Sequence, residues 1–124
     1  MKQISTTNAP AAIGPYSQAL RAGNMVFVSG QIPVDPATGN MAEGIEAQAM
    51  QALTNLKNVL AAAGLSTKNV IKTTVFLADL GDFPTVNGIY ETFFEAPFPA
   101  RSCVQVAGIP KGALVEIECI AVEE

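Results

Sequence analysis

Val70-Ile71-Lys72-Thr73-Thr74-Val75-Phe76-Leu77 is a β-branched run that reads as a strand, and it is apolar at both parities. A strand with one face in water alternates with polar residues, so this one is covered on two sides. Met25-Val26-Phe27-Val28 has the same character. Upstream, Ile45, Ala49, Ala52, Leu53, Leu56, Val59, Leu60 and Ala63 recur at helical spacing, and Gly64 provides the stop. Downstream, Asp82 is placed to cap a second helix with Pro84 in its first turn and Phe83, Val86, Tyr90 and Phe93 as its stripe. Strands near Ala100 to Val106 and Leu114 to Val122 close the chain. The N-terminal part gives a short edge strand at Ile4-Ser5, an ordered loop from Asn8 to Pro15, and a hairpin of Ser17 to Ala22 with Met25 to Gly30 around Gly23-Asn24.

The order β-β-α-β-α-β-β predicts an α+β sandwich of one mixed sheet with two helices on one face. Two helices cover only one face, yet the strands are apolar on both. A second copy of the chain is therefore expected to cover the other face.

Composition narrows the chemistry. A length of 124 residues suits one domain spanning 1–124, and 49% hydrophobic residues supply a core. Net charge is −4 with no basic run, which disfavours nucleic acid as a partner. No long apolar stretch or secretory segment is apparent, so a cytoplasmic protein without a membrane partner is expected. There is no histidine, which excludes Ser-His-Asp and Cys-His catalysis and histidine zinc sites. Two cysteines without a Cys-x-x-Cys spacing argue against zinc, and no glycine-rich phosphate loop occurs. Chemistry here falls to Arg, Glu, Tyr, Ser, Asn, Cys, backbone groups and water.

Arg21 and Arg101 are the only arginines. Arg101 enters a strand after Pro97-Phe98-Pro99-Ala100, where a guanidinium needs an anion. That anion is either a structural glutamate or a substrate carboxylate gripped by two parallel hydrogen bonds. Alternation in the last strand assigns Val115, Ile117, Cys119 and Ala121 to the helix side and Glu116 and Glu118 to the other. In the preceding strand, Val104 and Val106 suit the helix side, which sends Arg101, Cys103 and Gln105 to the face of the glutamates. On this spacing an interface ion pair and a functional pair stand equal. Cys103 and Cys119 then fall on opposite faces and do not bridge. Cys103 reads as a small interior residue, since no base is at hand to ionise it. Tyr90 reads as core, Tyr16 as loop anchor or ligand contact, and Asn87 as a satisfied amide near the helix stripe. Gly30 after Ser29 serves either a turn or a close approach of a ligand to backbone.

The segments Asn8 to Gln18, Val28-Ser29-Gly30-Gln31-Ile32-Pro33, Val70 to Leu77, Phe98-Pro99-Ala100-Arg101-Ser102-Cys103-Val104 and Val115 to Val122 resemble, in order along the chain, the RidA/YjgF family. The resemblance is closest to its deaminase branch, in which the arginine is retained. It implies a chorismate-mutase-like fold and a homotrimer with sites between subunits. It implies hydrolysis of 2-imino and enamine acids, such as 2-aminoacrylate/2-iminopropanoate and 2-iminobutanoate, to 2-keto acids and ammonia, without a cofactor or metal. Such hydrolysis protects enzymes that use pyridoxal phosphate. The family's site residues fall on Tyr16, Ser29, Gly30, Asn87, Arg101, Cys103 and Glu116. Arg101 and Glu116 are the implied catalytic pair, and the rest bind substrate. The alternatives are a trimer that binds 2-keto acids without turnover as a regulator, and a protein-protecting chaperone. One departure is that the loop Glu95-Ala96-Pro97 is shorter than in many relatives.

Overall fold

The computed structural model describes residues 1–124. Six strands, β1 (Lys2–Ile4), β2 (Ala19–Ala22), β3 (Met25–Gln31), β4 (Val70–Leu77), β5 (Ala100–Gln105) and β6 (Val115–Val122), form one sheet in the order β1-β2-β3-β6-β4-β5. Two helices, α1 (Ile45–Ala62) and α2 (Phe83–Tyr90), are the crossovers that follow β3 and β4. All neighbouring strands are antiparallel except β4 and β5, which run parallel on either side of α2. The last strand, β6, is inserted between β3 and β4 and so becomes the centre of the sheet.

The layers follow from alternation. Val115, Ile117, Cys119 and Ala121 of β6 are buried with Val26 and Val28 of β3, Val75 and Leu77 of β4, and Ala49, Ala52, Leu53, Leu56, Val59 and Leu60 of α1. That is one face of the sheet closed by both helices, as expected. On the other face Phe27 is 43% and Val104 42% exposed, beside half-buried Phe76 and Ile120. No element of this chain lies over that apolar face. Neither helix is long and apolar enough to cross a membrane.

Helix ends are tied to the sheet. Gly64 adopts φ 76°, which lets Leu65 N–H return to the Leu60 carbonyl at 2.9 Å and end α1. Arg21 donates to the Ala63 carbonyl (2.6 Å) and to Glu123 (2.9 Å), joining the end of α1 to the end of the chain. The start of α2 differs from expectation. Asp82 already has helical backbone angles and its side chain makes no capping bond. Asp79 instead accepts from Gly81 N–H (2.8 Å) and heads a 3-10 turn, Leu80–Asp82, that feeds the helix. α2 also stops at Tyr90, one turn short of Phe93, and Phe94 beyond it stacks on Tyr90 with centroids 4.5 Å apart.

Buried amides fix the loops that flank the sheet. Asn55 of α1 is fully buried, donates to the carbonyls of Ile32 (3.0 Å) and Val34 (2.9 Å), and accepts from Gln51 (2.9 Å). Asn55→Ala leaves two carbonyls unpaired and opens a small cavity, so a loss of about 2 kcal/mol is expected in urea unfolding. A change within about 0.5 kcal/mol, the range of neutral surface substitutions, would show that the clasp is dispensable.

Candidate functional site

The register corrects the face assignment of Arg101. Arg101 pairs across β4 with Thr73, and Cys103 with Val75, both buried under the helices. Arg101 and Cys103 therefore lie on the helix side, and Val104 on the open side. Glu116 pairs with Phe76 and Glu118 with Thr74, on the open face. Arg101 and Glu116 of one chain thus lie on opposite faces of the sheet, with β4 between their strands. The error has a clear source: in the edge strand β5 the more apolar parity, Ala100 and Val104, faces the open side, and the parity with Arg101 and Gln105 faces the helices, so alternation pointed the wrong way. Cys103 and Cys119 consequently share a face rather than opposing one another. Both are free, because two strand spacings, roughly 10 Å, separate β5 from β6.

Arg101 sits in a pocket of neutral groups. Its Nη1 donates to Asn87 Oδ1 at 2.6 Å, and its guanidinium carbon lies 4.8 Å from the Tyr90 ring centroid and 5.2 Å from that of Phe83. All three partners come from α2. The chain's two ion pairs are Arg21–Glu123 and Lys68–Glu95, so Arg101 has no carboxylate partner within the chain. Burial raises the Cys103 thiol above its ordinary range, opposed by the adjacent Arg101 charge, so the thiol is not primed as a nucleophile. Burial pushes Cys119, deep in the core, up to about 12.

The second cluster forms on the open face. At a bulge in β3, between Val28 and Gln31, Gly30 faces Glu116 so closely that a β-carbon there would lie 2.6 Å from Glu116 Oε2. This answers the question posed by Gly30: the missing side chain makes room for the Glu116 carboxylate against the strand. Burial, and secondarily the charge of Glu118, raises the Glu116 carboxyl above the ordinary glutamate value. Ser29 donates its hydroxyl to the Ser17 carbonyl at 2.6 Å, which ties the β3 bulge to the segment carrying Tyr16. Tyr16 is 52% exposed and free to meet a ligand or a neighbour.

The fold therefore brings Arg101, Asn87 and Cys103 together at one edge, and Glu116, Gly30, Ser29 and the Tyr16 segment together elsewhere. It does not join the two groups within one chain. Residues not singled out from sequence hold both groups. Gln18, buried, accepts from Thr6 N–H (2.7 Å) and donates to the carbonyls of Thr6 (3.1 Å) and Pro10 (2.7 Å), fixing the Asn8–Pro15 loop. Its signal was available, as a polar residue immediately before the strand-forming Ala19. Tyr90 was read as core and Phe83 as stripe, and the register that places both beneath Arg101 leaves no trace in local sequence. A concavity of about 420 Å³ lies between Thr67–Val70 and the Thr92–Pro99 segment and contains none of the predicted site residues. Its charged pair, Lys68–Glu95, is solvent-exposed at 3.5 Å. No cluster of His, Cys, Asp or Glu side chains is disposed to hold a metal ion.

These features define an α+β protein of one helix-backed sheet, with polar clusters on both of its faces. The sequence profile of the family described as Endoribonuclease L-PSP matches residues 6–123, and the chain belongs to that family, which is the RidA/YjgF family of the motif resemblance. A relative from Salmonella typhimurium, named 2-iminobutanoate/2-iminopropanoate deaminase, is 59% identical over 124 residues, covering 98% of this chain and 97% of the relative. A mouse protein of the same name is 54% identical over 123 residues, covering 98% and 91%. Among solved structures, E. coli TdcF with bound serine superposes with a TM-score of 0.97 at 51% identity over the full length of both chains. The YjgF product of E. coli gives a TM-score of 0.96 at 54% identity, again over both full lengths.

Gly30→Ala tests the packing of Glu116. The added methyl meets the mobile end of a flexible side chain, so folding stability is expected to change by less than about 1 kcal/mol. The carboxylate is expected to swing toward water. Carboxyl NMR titration would then show the Glu116 pKa falling toward the ordinary glutamate value. An unchanged titration would mean that Gly30 does not shape this pocket.

Proposed function

We propose that this protein hydrolyses 2-imino acids, 2-iminobutanoate and 2-iminopropanoate and their enamine tautomers, to 2-keto acids and ammonia, and so protects pyridoxal-phosphate enzymes from them. The observation that carries this reading is the uncompensated charge of Arg101, held by an amide and two ring faces instead of a carboxylate. A guanidinium so placed is ready for a carboxylate from outside the chain. The relatives named for imine deamination supply the substrate class.

The complete site forms between subunits of a homotrimer. In this arrangement the edge carrying Arg101, Asn87 and Cys103 meets the open face of a neighbouring copy, which carries Glu116, Gly30, Ser29 and Tyr16. Two facts support it: the open face is apolar with no cover from its own chain, and the two clusters lie on opposite sides of one sheet. Arg101 grips the substrate carboxylate and so orients the planar C=N carbon. Glu116 of the neighbour, as carboxylate, accepts a proton from water as its oxygen bonds to that carbon. The substrate reacts as the protonated imine, so attack leaves a neutral carbinolamine. Glu116 passes the water proton to its nitrogen, the C–N bond breaks with its electrons leaving on ammonia, and the hydroxyl oxygen closes the C=O bond as its proton passes through Glu116 to the departing ammonia, giving the keto acid. Backbone groups at Gly30 and Cys103 hold the water and the departing nitrogen, and Tyr16 and Ser29 close the cleft. Imines hydrolyse readily in water, so positioning and one base suffice. The free thiols suit a reducing cytoplasm.

Arg101→Lys keeps the charge and loses the fork. A fall of about 100-fold in kcat/KM is expected, with assembly unchanged. The assay couples a threonine dehydratase to semicarbazide trapping of the imine. Native activity in this variant would remove the carboxylate clamp.

The pH profile tests Glu116. Its raised pKa places the acid limb of kcat/KM above the range of an ordinary glutamate, since activity is lost as the carboxylate protonates. Glu118→Gln removes a like charge and should move that limb to lower pH. An acid limb that stays in place would assign the titration to another group.

A further inference from the structure

Phe83 and Tyr90 stand seven residues, two turns, apart on α2, so both rings face β5 with Asn87 between them. The Tyr90 hydroxyl shares a 2.7 Å hydrogen bond with Thr73 Oγ1, and Thr73 is fully buried and paired in register with Arg101. Phe94 backs the same ring at 4.5 Å. The ring is therefore braced from the strand beside Arg101 and from the turn behind it. A guanidinium held over aromatic faces gives up water where the rings cover it and keeps its in-plane N–H groups. Asn87 Oδ1 accepts a hydrogen bond from Nη1, which restrains rotation within that plane. What remains free is a flat fork of donors.

We infer that Phe83 and Tyr90, with Thr73 as brace, are positioning residues that hold the Arg101 guanidinium and bias it toward planar carboxylates over tetrahedral anions. This rests on reading Arg101 as the carboxylate clamp. The rings touch no reacting atom. Their action is on substrate capture through Arg101, so they alter KM more than kcat.

The test is calorimetric titration of the native protein and its variants with 2-oxobutanoate and with inorganic phosphate, alongside kcat and KM for imine hydrolysis. Phe83→Leu is expected to weaken 2-oxobutanoate binding about 5- to 20-fold and to raise KM in parallel, with kcat held within roughly twofold. The preference for 2-oxobutanoate over phosphate shrinks with it, and Phe83→Tyr, which restores a ring, restores binding. Tyr90→Phe preserves core volume and releases the brace, giving a smaller loss in the same direction should Phe83→Leu fail to assemble. Native affinity and KM in both Phe83→Leu and Tyr90→Phe would overturn the inference. Arg101→Lys separates the two levels. If it binds 2-oxobutanoate as the native protein does, the clamp itself is wrong. If it loses binding while the ring variants keep it, only the positioning role fails.

Discussion

The alternation of β6 is the constraint on which this structure depends. It is the last strand made and the central strand of the sheet, with β3 on one side and β4 on the other. Val115, Ile117, Cys119 and Ala121 must face the helices to close the core, and strand geometry then sends Glu116 and Glu118 to the opposite face. A slip of one residue would bury two carboxylates among leucines and strand four apolar side chains in water. The same register runs outward through β4 to β5 and points Arg101 toward α2. The separation of the proposed base from the proposed clamp is thus built into the pairing, and only a second copy of the sheet can bring them together.

The two arginines show how differently one side chain can be used. Arg21 is spent within the chain, on Glu123 and the carbonyl of Ala63 at the end of α1. Arg101 meets only an amide and aromatic faces. Ring faces and a neutral carbonyl oxygen steady a cation without cancelling it, whereas a carboxylate would satisfy it. Glu116 is the counterpart. Partial burial and the neighbouring Glu118 charge lift its pKa, which gives a carboxylate better matched to accepting a proton than an exposed one.

Much of this was legible in the sequence because local and long-range preferences agree. The β-branched run Val70–Leu77 forms a strand with those bounds, and the Ile45–Ala63 periodicity forms α1 to within a residue. The apolar character of both strand faces foretold an apolar sheet face that this chain does not itself cover, and Phe27 and Val104 lie exposed there. The parity of Arg101 was not legible. In β5, the parity with Val104 is the more apolar one yet faces away from the helices, and only the pairing of Arg101 with Thr73 and of Cys103 with Val75 shows it. The start of α2 was also not legible: Asp82 stands at its cap position without a capping bond, because a 3-10 turn capped by Asp79 already carries the chain from β4 into the helix. The motif resemblance implied the site residues as a set, yet it carried no information on which face of the sheet presents each one.

In the proposed assembly Arg101 and Glu116 act across a subunit boundary. Subunit mixing measures this directly. Arg101→Lys and Glu116→Gln proteins, each inactive alone, are unfolded together in equal amounts, refolded and assayed for imine hydrolysis. Sites shared between subunits predict recovery of about a quarter of native activity, since random assembly reunites an intact Arg101 with an intact neighbouring Glu116 at that frequency. A mixture as inactive as its parents, with mixed oligomers shown to have formed, would contradict it.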